Sequence, residues 1–355
     1  MIPARAIRLL GLLLPLTVAT WEACAAPSLG CGQSQASGVY QFHDQNLARI
    51  YRLFVPARYR PNSPLPLIVV FHGWGGDENE FLSDANVTAL ADERGYLLVA
   101  PRGLGSNPPD ARRNSWSFRG STTGRSQTGA TCAAERTADY TYPSCRDIAR
   151  TTCSWTHCQA DDVAFTLALI REVESKLCVD TARIFAAGGS NGGMFTWELG
   201  QNPASAATFK AIASLIGLPH RGFADPPART GGLPVLLITG TADHTVPPGS
   251  WERPASTTTS DGSAYYYTSA TAMMRSWGTS NRCPYRGRPA ASFDVGSVPA
   301  VCRTYCGADA QGWSGSAAGT RWPRALDCRA PMGHEYGLDW SWRLILDFFD
   351  VQSRP

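Results

Sequence analysis

The chain has 355 residues, of which 43% are hydrophobic and only 17% are charged. A chain of this length and composition can bury a large core, which excludes an intrinsically disordered or a fibrous protein. Its formal net charge of +3 is small for this length and offers no electrostatic basis for binding nucleic acid or an anionic membrane surface. We therefore expect a globular protein whose partner is a small or neutral molecule.

The N-terminal residues have the layout of a secretory signal peptide. Arg5 and Arg8 precede an apolar run over residues 9–18, and small residues follow it. The run is shorter than the roughly 20 residues that a membrane-spanning helix needs, which argues against a stable membrane anchor. We predict a signal peptide over residues 1–25, a single domain over residues 26–355, and a secreted protein that is extracellular or periplasmic.

The ten cysteines that follow the predicted signal peptide are even in number, which in an exported chain indicates disulfide bonds. Lipid attachment at Cys24 is a weaker alternative, because an acidic residue lies two positions before it. The close spacing of Cys153 with Cys158, and of Cys302 with Cys306, makes a zinc site the rival interpretation. Exported thiols oxidise, and no histidine at ligand spacing completes a set, so we predict no metal and no cofactor. The pairing of the cysteines stays open.

Short apolar runs that end in Gly or Pro alternate with amphipathic helical patterns, which is typical of parallel βαβ units. Asp161 and Asp162 offer carboxylates to the start of a helix that reaches Leu177, and a final amphipathic helix contains residues 340–349. Two stretches without periodicity are interpreted as loop insertions held by disulfides, over residues 103–159 and about 247–323. The predicted strands, expected to be buried on both faces, are residues 67–71, 96–100, 183–187, 211–216, 235–238 and 325–330.

The strongest chemical signal is a Gly-x-Ser-x-Gly sequence, Gly188–Gly192, between a predicted strand and a predicted helix. Such a turn strains the serine backbone, and side chains at the glycine positions would collide with the neighbouring strand or helix. The Ser190 hydroxyl would lie at the helix N-terminus, where the helix dipole favours developing negative charge. We predict that Ser190 is a nucleophile.

A serine hydroxyl is a weak nucleophile unless a base removes its proton, and the base needs an acid that orients it. With this turn, the order along the chain is Ser, then Asp or Glu, then His. Asp243 is the predicted acid, because it follows strand 235–238 at the sheet edge where α/β proteins build their sites. His334 is the predicted base, since it lies between the last predicted strand and the final helix. His244 is adjacent to the acid in sequence, and His220 is interpreted as a pocket or surface residue.

A tetrahedral intermediate needs two backbone N–H donors aimed at its oxyanion. We predict the N–H of Asn191, directly after the nucleophile, and the N–H of Trp74, in the turn that follows strand 67–71. His72 lies in the same turn, and we interpret it as a structural hydrogen-bonding residue and not as the base.

Together these motifs resemble those of the secreted polyhydroxybutyrate-depolymerase-like and feruloyl-esterase-like esterases. The resemblance implies an α/β-hydrolase fold with a mostly parallel central sheet flanked by helices, and a single catalytic domain with disulfide-stapled loop insertions. It also implies carboxylic ester hydrolysis by Ser190, His334 and Asp243. The motifs that carry it are residues 71–73, 161–165, 188–194, 240–243 and 333–334.

The resemblance extends to residues near the substrate. Asn114-Ser115-Trp116 is similar to the family's tryptophan-bearing segment, so Trp116 is predicted to line the cleft, with core packing as the alternative. Tyr336 is predicted to shape the pocket beside His334, where many relatives have a Trp-Pro pair. Tyr265–Tyr267 and Trp313 suit a substrate cleft or simple packing equally well.

We expect a neutral ester substrate, and we prefer a polyhydroxyalkanoate such as polyhydroxybutyrate or its oligomers. The alternative is a feruloyl or acetyl ester on plant polysaccharide. A serine peptidase of the same fold is less favoured, because no extended peptide cleft or charged subsite is identifiable. A catalytically silent binding protein is also less favoured, because the serine, aspartate and histidine are all present.

Overall fold

The structure is a computed structural model that describes residues 26–105, 113–133, 142–147, 153–283, 288–289, 293–295, 298–305 and 324–353. The predicted signal peptide over residues 1–25, Cys306 and Trp313 lie outside the described residues.

The main sheet of the described chain is parallel in its middle and antiparallel at both sides. In spatial order the strands are β1 (Gly38–Asp44), β2 (Leu47–Phe54), β4 (Leu97–Pro101), β3 (Leu65–Phe71), β7 (Val179–Gly189), β8 (Ala211–Leu215), β9 (Val235–Gly240), β15 (Ala325–Ala330), β14 (Val298–Thr304) and β12 (Arg288–Pro289), with β13 (Phe293–Val295) paired to β14. In this order the neighbouring pairs from β4 to β15 are all parallel, and the flanking pairs are antiparallel.

Helices cover both faces of this sheet and form two separate apolar cores. The helices are α1 (Ala85–Arg94), α2 (Asp162–Lys176), α3 (Asn191–Gln201), α4 (Ala270–Ser280) and α5 (Leu338–Gln352), with a 3-10 turn at Pro143–Cys145 and small hairpins β5 (Arg125–Ser126) with β6 (Gly129–Ala130) and β10 (Thr257–Thr258) with β11 (Tyr266–Tyr267). One core is built from side chains of α2, α3 and α4, and the other from side chains of α1 and α5. A parallel sheet covered on both faces, with the motifs above at its strand ends, is the α/β-hydrolase fold, and the prediction of fold class is confirmed.

The start of α2 follows from its capping residue. The Asp161 side chain accepts hydrogen bonds from the backbone N–H groups of Val163 and Ala164, at 2.9 and 3.0 Å. An aspartate in this position satisfies N–H groups that have no partner inside the helix, which places the helix boundary where the two adjacent aspartates predicted it.

The prediction of a late insertion over residues 247–323 is wrong in part. Helix α4 within it packs into a core through Met273 and Trp277, and β14 extends the main sheet. Val301 of β14 is exposed while Ala300 and Cys302 are buried, so the strand does alternate. A single short alternation that contains a proline, Pro299, is a weak sequence signal for a strand.

The cysteines form disulfides, and the zinc interpretation is wrong for those that the structure describes. The bonds join Cys31 to Cys178, Cys132 to Cys153, Cys145 to Cys158 and Cys302 to Cys328. Two of these bonds lie within the early insertion, as predicted, whereas the bond between Cys302 and Cys328 joins neighbouring strands of the sheet. In the described part of the chain, no three His, Cys, Asp or Glu side chains are placed to bind a metal.

None of the helices in the described ranges combines the length and the hydropathy that crossing a bilayer requires.

Candidate active site

Ser190 is the single residue between the end of β7 and the start of α3, and its backbone conformation is strained. Its φ is 51° and its ψ is −116°, a region that residues with a side chain rarely occupy. The surrounding glycines permit this turn. A Cβ on Gly188 would lie 2.5 Å from the carbonyl oxygen of Gly192, and a Cβ on Gly192 would overlap the carbonyls of Phe71 and His72. The turn therefore has the strain and the close backbone contacts of a nucleophile elbow.

A continuous hydrogen-bonded chain joins Ser190, His334 and Asp243. The Ser190 Oγ lies 2.9 Å from His334 Nε2, and His334 Nδ1 lies 2.8 Å from Asp243 Oδ2. The three residues follow the carboxyl ends of β7, β15 and β9, so the sheet brings together positions that are 144 and 91 residues apart. In this arrangement the histidine can take the serine proton through one ring nitrogen while the carboxylate holds the other.

The Asp243 carboxylate is buried and held by its own turn. Its Oδ1 accepts hydrogen bonds from the backbone N–H groups of Thr245 and Val246, at 2.9 and 2.8 Å. These bonds leave Oδ2 directed at His334. The neighbouring His244 is exposed and pairs instead with the Ser260 hydroxyl at 2.7 Å, so it takes no part in this chain of bonds.

The turn after β3 is braced on both sides of the Gly73 peptide. Glu80 Oε1 accepts from the Gly73 N–H at 2.9 Å, and His72 Nδ1 donates to the Gly73 carbonyl at 2.6 Å. His72 Nε2 accepts from the Gly103 N–H at 2.8 Å, so both ring nitrogens of this buried histidine are hydrogen-bonded to backbone groups. Burial lowers the pKa of His72, which keeps the ring neutral in this role. Sequence reasoning missed Glu80, an acidic residue of the loop after the turn.

The two predicted oxyanion donors lie at the ends of neighbouring strands. Trp74 follows β3 and Asn191 follows Ser190 at the end of β7. The Trp74 indole N–H donates to the Tyr142 hydroxyl at 2.8 Å, which orients the ring. The Asn191 side chain bonds to both backbone groups of Trp116: its Oδ1 accepts from the Trp116 N–H at 2.7 Å, and its Nδ2 donates to the Trp116 carbonyl at 3.0 Å. Because the side chain is held in this way, the backbone N–H is the group of Asn191 that can act in the site.

The prediction that Trp116 lines the cleft is wrong. Its side chain is fully buried, stacks on Phe195 and meets Phe71 edge to face. Its indole N–H donates to the His72 carbonyl at 3.1 Å. Trp116 therefore packs beneath the Gly188–Gly192 turn and the turn that follows β3, which is the core-packing role given as the alternative.

The prediction for Tyr336 is also corrected. Its ring packs on Phe81 with centroids 5.0 Å apart and covers Gly189, while its hydroxyl bonds to Glu80. Tyr336 is not among the residues that line the cavity beside Ser190. It braces the backbone at Gly189, directly before Ser190, and, through Glu80, the turn at Gly73.

A cavity of about 160 Å³ opens next to Ser190, and aromatic rings form much of its wall. Trp155 is a lining residue that the sequence pattern did not single out, because nothing in its local sequence marks it. Two residues of the predicted Tyr265–Tyr267 segment do line the cavity. The lining residues are Trp74, Trp155, Ser190, Met194, Thr245, Val246, Asp261, Ser263, Tyr265 and Tyr267.

Burial of His220 predicts a specific loss of stability in acid. Burial lowers its pKa from 6.5 to about 4, so the folded protein keeps this ring neutral while the unfolded chain protonates it. The contribution of this neutral ring to the free energy of unfolding is about 3 kcal/mol. It is fully present above pH 6.5 and is lost as the pH falls towards about 4. Urea unfolding at pH 7 and pH 4.5 should show that the free energy of unfolding falls with pH in the wild type and falls less in His220→Phe. An equal fall in the free energy of unfolding of the two proteins would contradict this role of His220.

Comparison with known proteins shows similarity to feruloyl esterases. A probable feruloyl esterase C of Aspergillus niger is 27% identical over 199 residues, which is 54% of each chain. Feruloyl esterase D of Neurospora crassa is 26% identical over 206 residues, covering 57% of this chain and 59% of that protein. The chain resembles the feruloyl esterases of the α/β-hydrolase fold. It spans about half the length of these curated relatives.

No protein-family profile matches the chain. A solved acetyl xylan esterase from Aspergillus awamori superposes with a TM-score of 0.49 at 13% identity, covering 88% of this chain and 99% of that one.

Proposed function

We propose that the protein is a serine carboxylic ester hydrolase with Ser190 as nucleophile, His334 as general base and Asp243 as the acid that orients the base. His334 Nε2 takes the Ser190 proton as Oγ bonds to the ester carbonyl carbon. The alcohol leaves with the proton that His334 returns, and an acyl-serine remains. Water then attacks the acyl carbon with His334 again as base, which releases the acid and restores Ser190.

The oxyanion of each tetrahedral intermediate is proposed to bind the backbone N–H groups of Trp74 and Asn191. Trp74 follows β3, and Asn191 follows Ser190 at the end of the neighbouring strand β7, and these positions support this role. The bonds from Glu80 and His72 to the Gly73 peptide support it further, because donors fixed before the reaction stabilise charge without reorganising.

The preferred substrate class is an ester of an aromatic acid, such as a feruloyl ester of plant cell-wall polysaccharide. The observation that carries this choice is the cavity beside Ser190, with Trp74, Trp155, Tyr265 and Tyr267 in its wall. Its volume of about 160 Å³ is close to the roughly 150 Å³ of an apolar cavity that holds a benzene ring. Flat aromatic walls favour offset or edge-on contact with such a ring.

The relatives named above also favour the aromatic alternative over the preference for polyhydroxybutyrate that the motifs suggested. An acetyl ester would leave much of the aromatic wall without contact. The disulfides support a location outside the cytoplasm, where such bonds persist.

Hydrolysis of 4-nitrophenyl ferulate, 4-nitrophenyl acetate and a hydroxybutyrate trimer tests this proposal. We expect kcat/KM to be highest for the ferulate. Tyr267→Leu should lower it about 10-fold by removing a ring from the cavity wall. Tyr266→Leu is the matched control, because the ring of Tyr266 lies against Arg221 and does not line the cavity. Faster hydrolysis of the hydroxybutyrate trimer would overturn the choice of an aromatic acid.

A further inference from the structure

His220 lies directly behind the aromatic wall of the cavity and is fully buried. Its Nδ1 lies 3.0 Å from the Tyr266 carbonyl, which only accepts, so the ring hydrogen is on Nδ1. Its Nε2 therefore carries a lone pair. The Trp155 indole N–H donates to that nitrogen at 2.8 Å.

The imidazole of His220 is also the centre of a stack of rings. It lies parallel to Tyr267 with centroids 5.0 Å apart and an interplanar angle of 6°. On Phe118 it stacks at 5.5 Å and 17°. Two of the rings that line the cavity, Trp155 and Tyr267, thus both rest on His220.

The backbone around Trp155 is held independently of His220. The Trp155 N–H donates to the Ser121 carbonyl at 2.9 Å, and the nearby Cys153 is bonded to Cys132. These contacts fix where the side chain starts but not where its indole points. The Trp155 ring also packs on Phe118 and Tyr265, with centroids 5.7 Å away in each case. The hydrogen bond to His220 adds a directional polar contact that ties the indole N–H to one point behind the wall.

We propose that His220 is a positioning residue for acyl specificity: by holding the Trp155 indole in the cavity wall, it keeps the site shaped for a planar aromatic acyl group. The inference rests on the proposed function and assigns this selectivity to a residue that touches neither substrate nor the reacting atoms. His220 must stay neutral to accept the hydrogen bond from the indole N–H, and burial, which lowers its pKa to about 4, keeps it so at neutral pH.

His220→Phe tests the proposal, because it preserves a flat ring for stacking and removes the acceptor. We expect kcat/KM for 4-nitrophenyl ferulate to fall about 10-fold while kcat/KM for 4-nitrophenyl acetate stays within about twofold. His220→Gln, whose side-chain oxygen can replace Nε2 as acceptor, should restore most of the preference for the ferulate. Thermal unfolding of each variant verifies that it is folded at the assay temperature.

A double-mutant cycle separates this role from general structural support. If His220 acts through the Trp155 indole, His220→Phe should have little further effect on the ferulate preference once Trp155→Phe has removed the donor. An undiminished effect in that background, or an equal loss on both esters, would overturn the proposal.

Two outcomes keep the inference distinct from the function on which it rests. A wild-type protein without preference for the ferulate contradicts the proposed substrate class, whereas a preference that survives His220→Phe contradicts the positioning role. If His220→Phe does not fold, Trp155→Phe and His220→Gln provide the test. Trp155→Phe should lose the ferulate preference and His220→Gln should keep it, and the reverse result would overturn the inference.

Discussion

Replacing His334 with Ala is expected to lower kcat for ester hydrolysis by about 10⁴-fold or more, with little change in fold. The substitution removes the group 2.9 Å from the Ser190 hydroxyl, so no base takes the proton as the serine attacks. Residual turnover would come from the proposed oxyanion donors and from substrate binding. Steady-state kinetics on 4-nitrophenyl ferulate measures the loss.

His244→Ala is the matched control for this prediction. His244 directly follows the proposed acid Asp243, but its ring is exposed and bonded to Ser260. We expect its kcat within about twofold of the wild type, because an exposed polar contact contributes little to the site. A comparable loss in both variants, or none in His334→Ala, would contradict the assignment of the base.

Gly192→Ala is expected to destabilise the protein by about 3 kcal/mol and to remove activity in the molecules that still fold. The new Cβ would overlap the carbonyl oxygens of Phe71 and His72, with the second at 2.6 Å, and backbone atoms cannot rotate away as a side chain can. Relief requires the Gly188–Gly192 turn to move away from the turn that follows β3. Urea unfolding and kcat/KM together measure the two effects.

Gly38→Ala offers the control for adding a methyl group to a glycine. A Cβ at Gly38, in β1, would meet the Tyr40 ring at ordinary contact distances of 3.5 to 3.6 Å. Its free energy of unfolding should stay within about 0.5 kcal/mol of the wild type. A Gly192→Ala protein as stable and active as Gly38→Ala would show that the close approach at the elbow is not needed.

Local signals were sufficient to predict the strands and motifs that surround the candidate site. The strand before Ser190, the turn containing Asp243 and the loop of His334 each combine an apolar run with a polar residue at its carboxyl end. In a parallel sheet those ends meet at one edge, so chain order alone indicated that the three side chains lie together.

Residue type did not reveal what Trp116 and Tyr336 contact. A tryptophan near an elbow suits a cleft or a core, and the choice depends on neighbours far along the chain. Asn191 fixes the Trp116 backbone from 75 residues away, and Glu80 engages Tyr336 from a distant loop. Such contacts exist only in the folded chain, so motif similarity placed both residues too close to the substrate.

The aromatic wall was unpredictable for the same physical reason. Trp155 and His220 are 65 residues apart and meet through one hydrogen bond.

The antiparallel hairpin of β1 and β2 was not predicted, for a different reason. Its turn residues Gln45 and Asn46 both adopt positive φ, at 49° and 61°, without the glycine that usually signals such a turn.

Covalent labelling of the nucleophile tests the central claim most directly. A 4-nitrophenyl alkylphosphonate reacts with an activated serine to leave a stable phosphonyl ester on Oγ and releases 4-nitrophenol. Intact-mass and peptide mass spectrometry should find one phosphonyl group, carried by Ser190, with loss of ester hydrolysis in the same proportion. Ser190→Ala should take up no label and hydrolyse no ester. Labelling at another residue, or activity that persists in Ser190→Ala, would contradict the assignment of Ser190 as the nucleophile.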